Sequence, residues 1–270
     1  MSTSPFSLED KRVVAFGGGG YLGGATVEML LQLGARVVVA DLFPDYTREQ
    51  AALFRDNPAC RLVTCDVSGT ADVRAAFGAC REAFGGVEAV LNFATYMGSA
   101  KAGEGNLKRF SVEETSDEDF DHSIRGVLGS TFRVLREAVP FLKESGGGSV
   151  VLTSSMYGMV SPDPSIYGDS GQNSPVFYGT GKAGVLQLTR YAAAHLAQYG
   201  IRVNCVTPGP FPAQRKLPPE EFLRKLSAKT MLGRVGRAHE IAGAYCYLVS
   251  DTASFTTGAN LVVDGGWTAW

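Results

Sequence analysis

Short apolar runs alternate along the chain with longer stretches of helical period. Runs at 13–16, 36–40, 61–64, 87–92, 149–153, 202–207 and 260–263 are rich in Val, Leu and Ile and are bounded by Gly or Pro, as buried parallel strands require. Between them, 22–33, 71–84, 117–142, 175–199 and 239–250 carry apolar residues at helical spacing and mostly end at Gly or small polar residues. Seven strands separated by helical crossovers predict an α/β fold, a doubly wound, seven-stranded parallel sheet with helices on both faces. Three stretches break the alternation: 96–116, 156–174 and 208–229. Each follows a strand at the edge where open α/β sheets bind ligands, so these are the expected substrate-facing loops. No repeat, low-complexity tract or Pro/Ser-rich linker divides the chain, and residues 1–270 are expected to form one domain.

Composition narrows the function classes. Hydrophobic residues at 45% and charged residues at 19% are an ordinary globular mixture that can bury a core. A net charge of −2, with Lys and Arg scattered, supplies no basic field for nucleic acid or an anionic membrane. Cys60, Cys65, Cys80, Cys205 and Cys246 show no paired spacing and the three histidines lie far apart, so neither a disulfide framework nor a metal site is expected. The polar first ten residues do not resemble a signal peptide and no apolar run reaches spanning length, which makes the cytoplasm the expected address.

The first strand runs directly into Gly17-Gly18-Gly19-Gly20-Tyr21-Leu22-Gly23-Gly24 at a helix start. Glycines there allow a tight turn and close backbone approach, and the free N–H groups of a helix start attract a pyrophosphate. A glycine-rich turn without a ligand would look the same, but Asp41 closes the second strand, where an acid hydrogen-bonds adenine ribose hydroxyls. The same carboxylate would repel the extra phosphate of NADP, and no basic residue follows it, so the expected cofactor is NAD. Asp66 with Val67 after the third strand, and Asn92 and Ala94 at the end of the fourth, complete the expected nucleotide contacts with Gly17, Gly20, Tyr21, Leu22 and Gly23. As isolated residues each of these also fits turn chemistry.

A fifth strand ending in Thr153-Ser154-Ser155 precedes Tyr178-Gly179-Thr180-Gly181-Lys182 at the head of a helix. Tyr and Lys four apart share one helical face. A phenol is a poor base at neutral pH, but a neighbouring ammonium and a nicotinamide cation both favour its phenolate. Tyr178 is thus the candidate acid/base, Ser155 the group that orients the substrate oxygen, and Lys182 the residue that lowers the tyrosine's pKa and holds the nicotinamide ribose. YxxxK alone fits a surface Tyr and a solvated Lys equally well.

The ordered landmarks extend over nearly the whole chain: the glycine loop, Asp41, Asp66-Val67, Asn92-Phe93-Ala94, Ser155 with Gly158, Tyr178 with Lys182, Ile201-Arg202-Val203-Asn204, Pro208-Gly209, and Gly258 with Asp264-Gly265-Gly266. In this order the chain resembles the short-chain dehydrogenase/reductase family of single-domain Rossmann enzymes. The resemblance implies hydride transfer between NAD and a secondary alcohol or ketone, a catalytic group of Ser155, Tyr178 and Lys182, and Pro208 and Gly209 facing the nicotinamide. It also implies a homotetramer or homodimer. His195, Arg202 and Asn204 read as packing or structural residues. Phe16 stands where the family usually has Thr, Tyr21 interrupts the glycine spacing, and Val127 falls where a catalytic Asn anchors a water next to the lysine. These departures motivate a second reading, a degenerate, non-catalytic subunit of a hetero-oligomer.

The segment between Ser155 and Tyr178 is long for the family and includes Pro162, Pro164, Tyr167, Asp169, Gln172 and Asn173, the composition of a shaped, partly polar cover. Tyr157, Tyr167 and Phe211 are the expected substrate contacts, with Met97, Met156, Met159 and Phe177 as apolar lining. Lys101, Lys108, Arg109 and Arg215 on neighbouring loops fit a hydroxylated or acidic substrate, such as a sugar derivative or hydroxyacyl compound, and equally fit solvated loop cations.

Overall fold

The computed structural model describes residues 6–42, 54–96, 111–170, 173–213 and 217–270. Strands β1 (Arg12–Phe16), β2 (Arg36–Asp41), β3 (Cys60–Thr64), β4 (Ala89–Asn92), β5 (Gly148–Thr153), β6 (Ile201–Pro208) and β7 (Asn260–Val263) form one sheet in the order β3-β2-β1-β4-β5-β6-β7, every pair parallel. The helices are α1 (Tyr21–Gln32), α2 (Thr70–Phe84), α3 (Asp117–Ile124), α4 (Ser130–Glu144), α5 (Val176–Leu196), α6 (Glu220–Ala228) and α7 (Ala238–Val249). This is the expected doubly wound architecture, and the expected strands agree with the observed ones to within two residues at each end.

Strand alternation sorts the core into two layers. Val14, Phe16, Val38 and Ala40 face α2, α4 and α5 through Val73, Phe77, Val134 and Val185. Val13, Ala15, Val37 and Val39 face α1 and α7 through Val27, Leu30, Ile241 and Tyr245. Phe16 is fully buried and meets Phe77 edge-on at 5.1 Å, so its ring belongs to the first layer and not to the glycine loop. Burial of side chains of this size contributes about 1.5–3 kcal/mol each. All five cysteines are buried and free, and burial pushes their thiols up, to about 11 for Cys60 and about 12 for the others. They are core residues, as expected. Among the described residues no helix is long and apolar enough to cross a membrane, and no group of three or more His, Cys, Asp or Glu is arranged to hold a metal.

Two features depart from the periodicity. The single helix expected over 117–142 is split by a π-helical turn, Arg125–Gly129. Its opened carbonyls are capped locally: Ser130 Oγ donates to the Gly126 carbonyl at 2.6 Å and Thr131 Oγ1 to the Val127 carbonyl at 2.8 Å. Side-chain caps of this kind leave no trace in hydrophobic spacing. The stretch 208–229 also contains a helix, α6, too short and too polar on its outer face to be distinguished from a loop by apolar period alone.

Candidate active site

The sheet changes winding direction between β1 and β4, and a crevice opens at their carboxyl ends. There the turn after β1 is locked to β4: Phe93 N–H donates to the Phe16 carbonyl at 2.8 Å. Gly17 has φ of +71°, and a Cβ on it would lie 2.7 Å from the Ala94 nitrogen, so only glycine fits. A Cβ on Gly23 would lie 2.3 Å from the Gly17 carbonyl oxygen, which fixes α1 against the loop. Helix α1 begins at Gly20 with no side-chain cap, leaving the amides of its first turn for an anionic ligand. Asp41 is tied to this loop, its Oδ2 accepting from Gly19 N–H at 2.9 Å and its Oδ1 from Leu42 N–H at 2.8 Å.

Other expected nucleotide contacts fare differently. The Tyr21 hydroxyl accepts from Ala238 N–H at 3.4 Å, so its ring links α1 to the start of α7 and only its backbone belongs to the loop. Asp66 Oδ1 accepts from Ser68 N–H at 2.8 Å in a local turn. Asn92 turns inward: it is 2% exposed, its Nδ2 donates to Thr131 Oγ1 at 3.2 Å, and its Oδ1 is buried without a protein partner. Its side chain faces the π-turn and not the crevice. Gly209 is held by its N–H on the Val263 carbonyl at 2.9 Å, and a Cβ there would meet Asp264 Cα at 2.5 Å, which sets the bend after Pro208.

The second half of the crevice is built where β5 meets α5. Ser154 Oγ donates to the Lys182 carbonyl at 2.8 Å, and a Cβ on Gly158 would lie 2.7 Å from that Oγ, so the strand end and the helix head are held in tight register. This brings Ser155, 5% exposed, close to the half-buried Tyr178, where the serine hydroxyl acts against the rise in the phenol's pKa. Lys182 is 4% exposed, its Nζ donates to the Thr153 carbonyl at 2.9 Å and lies 5.9 Å from the centre of the Tyr178 ring. Burial pushes this ammonium down to about 8. Burial also pushes the Tyr178 phenol above its usual range against the opposing effect of Ser155. Burial thus dominates at the Tyr178 phenol, and the Lys182 ammonium is directed to the Thr153 carbonyl.

Val127 is fully buried in the π-turn, and a Cβ on Gly181 would lie 2.9 Å from its Cβ and Cγ1, so its side chain packs on α5 one residue before Lys182. Its carbonyl is already occupied by Thr131. Tyr157 packs edge-on to Trp267 at 6.3 Å and Tyr167 lies against Phe222 at 5.6 Å. Phe211 packs on Gly236, where a Cβ would lie 2.3 Å from its ring. His195 is an exposed residue stacked on Tyr191, and Arg202 and Asn204 tie β6 to the carbonyls of Ser250 and Thr256, the structural roles expected of them. Met97, Lys101, Lys108, Arg109, Gln172 and Arg215 lie outside the described residues. Thr153, Ser154, Thr131 and Ser174 were not expected at the site, since an ordinary Ser or Thr at a strand or helix end carries no distinguishing pattern.

A family model described as enoyl-(acyl carrier protein) reductase matches residues 21–268. The chain is 33% identical to a 2,5-dichloro-2,5-cyclohexadiene-1,4-diol dehydrogenase of Sphingobium indicum, over 97% of this chain and 98% of the relative. It is 32% identical to a trans-4-hydroxycyclohexanecarboxylate dehydrogenase of Sinomonas cyclohexanicum, over 100% of this chain and 97% of the relative. Among solved structures, a short-chain dehydrogenase of Leptospira borgpetersenii with bound NAD+ superposes with a TM-score of 0.80 at 28% identity, covering 99% of this chain and 96% of that one.

Proposed function

The chain belongs to the short-chain dehydrogenase/reductase family and is an oxidoreductase of CH–OH groups, and from that premise we propose that it is an NAD-dependent dehydrogenase of a ring-borne secondary alcohol. The observation that carries the reading is the buried Lys182 Nζ, 5.9 Å from the Tyr178 ring and held on the Thr153 carbonyl at the strand end that also carries Ser155. The ring preference follows the two relatives named for cyclohexane-type alcohols.

The residues at the crevice fit the cofactor. The uncapped start of α1 suits a pyrophosphate, and Asp41, anchored on Gly19 and Leu42, suits the adenine ribose and disfavours a phosphate there, which supports NAD over NADP. Bound NAD supplies the hydride acceptor. Ser155 Oγ orients the alcohol oxygen, and Tyr178 takes the hydroxyl proton as the carbinol carbon gives up its hydride, so a secondary alcohol becomes a ketone. Lys182 keeps protons beyond the one on Thr153 with which to hold the ribose hydroxyls. A positive charge brought next to Tyr178 offsets the burial that raises its pKa. We place the enzyme in the cytoplasm, as a homodimer or homotetramer.

Replacing Tyr178 by Phe tests the assignment. Turnover of a cyclohexanol-type substrate is expected to fall by about a thousandfold or more, with NADH affinity kept within about twofold by fluorescence titration. Retained turnover would remove Tyr178 from the chemistry. An intact nucleotide site with no turnover of any secondary alcohol by the unaltered protein would favour the non-catalytic subunit.

A further inference from the structure

Ser155 opens the short 3-10 turn Met156–Gly158, and its Oγ accepts from the Tyr157 N–H at 3.2 Å. A hydroxyl has one proton and two lone pairs, so an Oγ fixed as an acceptor keeps its proton for an alcohol oxygen in the crevice. The carbonyl of the same Tyr157 lies against the head of α5: a Cβ on Gly179, the residue after Tyr178, would lie 2.8 Å from that oxygen. The Tyr157 main chain is therefore wedged between the serine and the helical turn that carries the tyrosine.

The Tyr157 ring extends from this wedge to Trp267, which meets it edge-on at 6.3 Å, an attractive arrangement for two aromatic rings. Trp267 is 7% exposed and belongs to a third apolar cluster, separate from the two sheet layers, with Met156, Ile166 and Leu226. The turn that carries it is firmly tied. Asp264 Oδ1 accepts from Gly266 N–H at 2.8 Å, and its Oδ2 accepts from Thr268 N–H at 2.8 Å and from Thr268 Oγ1 at 2.7 Å. Gly266 has φ of +86°, and a Cβ on it would lie 2.7 Å from Met231 Cγ, so the turn also presses on the segment after α6. A buried ring on a fixed turn is thus the support for the Tyr157 side chain.

We propose that Trp267 is a positioning residue for hydride transfer: through the Tyr157 ring it fixes the Tyr157 main chain, and so the direction of Ser155 Oγ relative to Tyr178. This rests on the dehydrogenase reading above. Trp267 itself touches neither Ser155 nor the reacting atoms, and its effect is on the chemical step.

The test is single-turnover oxidation of cyclohexane-1,4-diol by NAD, with enzyme in excess and saturating, followed by NADH absorbance in a stopped flow. Under these conditions the first-order rate constant belongs to the bound complex and does not depend on how much of the protein is folded. Trp267→Leu and Tyr157→Leu are each expected to lower it about tenfold, and the double variant to lie within about twofold of either single one, because both act through one contact. Trp267→Phe keeps a ring against Tyr157 and is expected to recover the rate constant to within about threefold of wild type. A rate constant for Trp267→Leu within about twofold of wild type, a Phe variant as slow as the Leu variant, or losses that multiply in the double variant would overturn the positioning role and leave the dehydrogenase reading standing. If Trp267→Leu does not fold, an unchanged rate constant in Tyr157→Leu overturns the role equally. Absence of NADH formation by the unaltered protein with this diol and with cyclohexanol would overturn both.

Discussion

Lys182→Met is expected to make the nucleotide-free protein more stable while destroying its function. The native ammonium is 4% exposed, and burial pushes it down to about 8 from 10.5. Holding it charged at neutral pH therefore destabilises the fold by about 3 kcal/mol, at about 1.4 kcal/mol per pH unit of displacement. Met fills similar volume without the charge but leaves the Thr153 carbonyl without its 2.9 Å donor, a loss of about 1 kcal/mol. The net gain is about 2 kcal/mol, and with an unfolding entropy of about 2 cal/mol/K per residue this raises Tm by about 3–4 °C in a chain of this length. The pH dependence has a definite sign. Between about pH 8 and the ordinary lysine value the unfolded chain keeps a proton that the folded protein has released, so wild-type stability rises with pH and the gap to the variant narrows. The thiols of Cys60, Cys65 and Cys80, raised by burial, lose stability with rising pH in both proteins and cancel from the difference, whereas that of Cys205 faces Lys182 and is pushed further up once the ammonium is removed. Scanning calorimetry of stripped protein at about pH 7 and about pH 9.5 measures the gap. A variant less stable than wild type at neutral pH, or a gap that fails to narrow, would refute the reasoning.

Asp41→Ser removes the acceptor held on Gly19, and NAD affinity is expected to drop about tenfold while NADP affinity rises, as fluorescence titration with each nucleotide would record. Glu137 is 6% exposed, and hydrogen bonds from Arg136 and Arg74 hold its carboxyl below the usual range despite the opposing effect of burial. Its folded value is depressed, so its contribution is present at neutral pH and lost as pH falls through the folded value. Glu137→Gln is therefore expected to lower stability by about 1–2 kcal/mol near pH 7 and by less in acid, measured by urea unfolding.

Where burial alternated strictly, the chain was legible. The two faces of β1 and β2 separate into the two core layers residue by residue, and the glycine loop and Asp41, both marked in the sequence, meet through the Gly19 N–H. The family order brought Ser155, Tyr178 and Lys182 into one group, and the structure places them together. What stayed hidden depends on side-chain direction and on burial of polar groups, which periodicity does not encode. Asn92 reads as a crevice residue from its position at a strand end, yet its side chain goes to Thr131 on α4. The π-turn at Val127 is supported by hydroxyls that look like any Ser or Thr in a helix. Lys182 is drawn to a strand carbonyl, a contact made across 29 residues that no spacing rule predicts. The ring contacts of Tyr157 with Trp267 and of Tyr167 with Phe222 likewise join residues far apart in the chain.

The central claim is hydride transfer from a ring carbinol to NAD at Tyr178. The most direct measurement is a single turnover with cyclohexane-1,4-diol deuterated at both carbinol carbons, followed by mass spectrometry of the reduced nucleotide. The account predicts one deuterium per NADH formed, matched by one equivalent of the hydroxyketone, and loss of both products in Tyr178→Phe. Reduced nucleotide without deuterium, or equal product from the Phe variant, would contradict it.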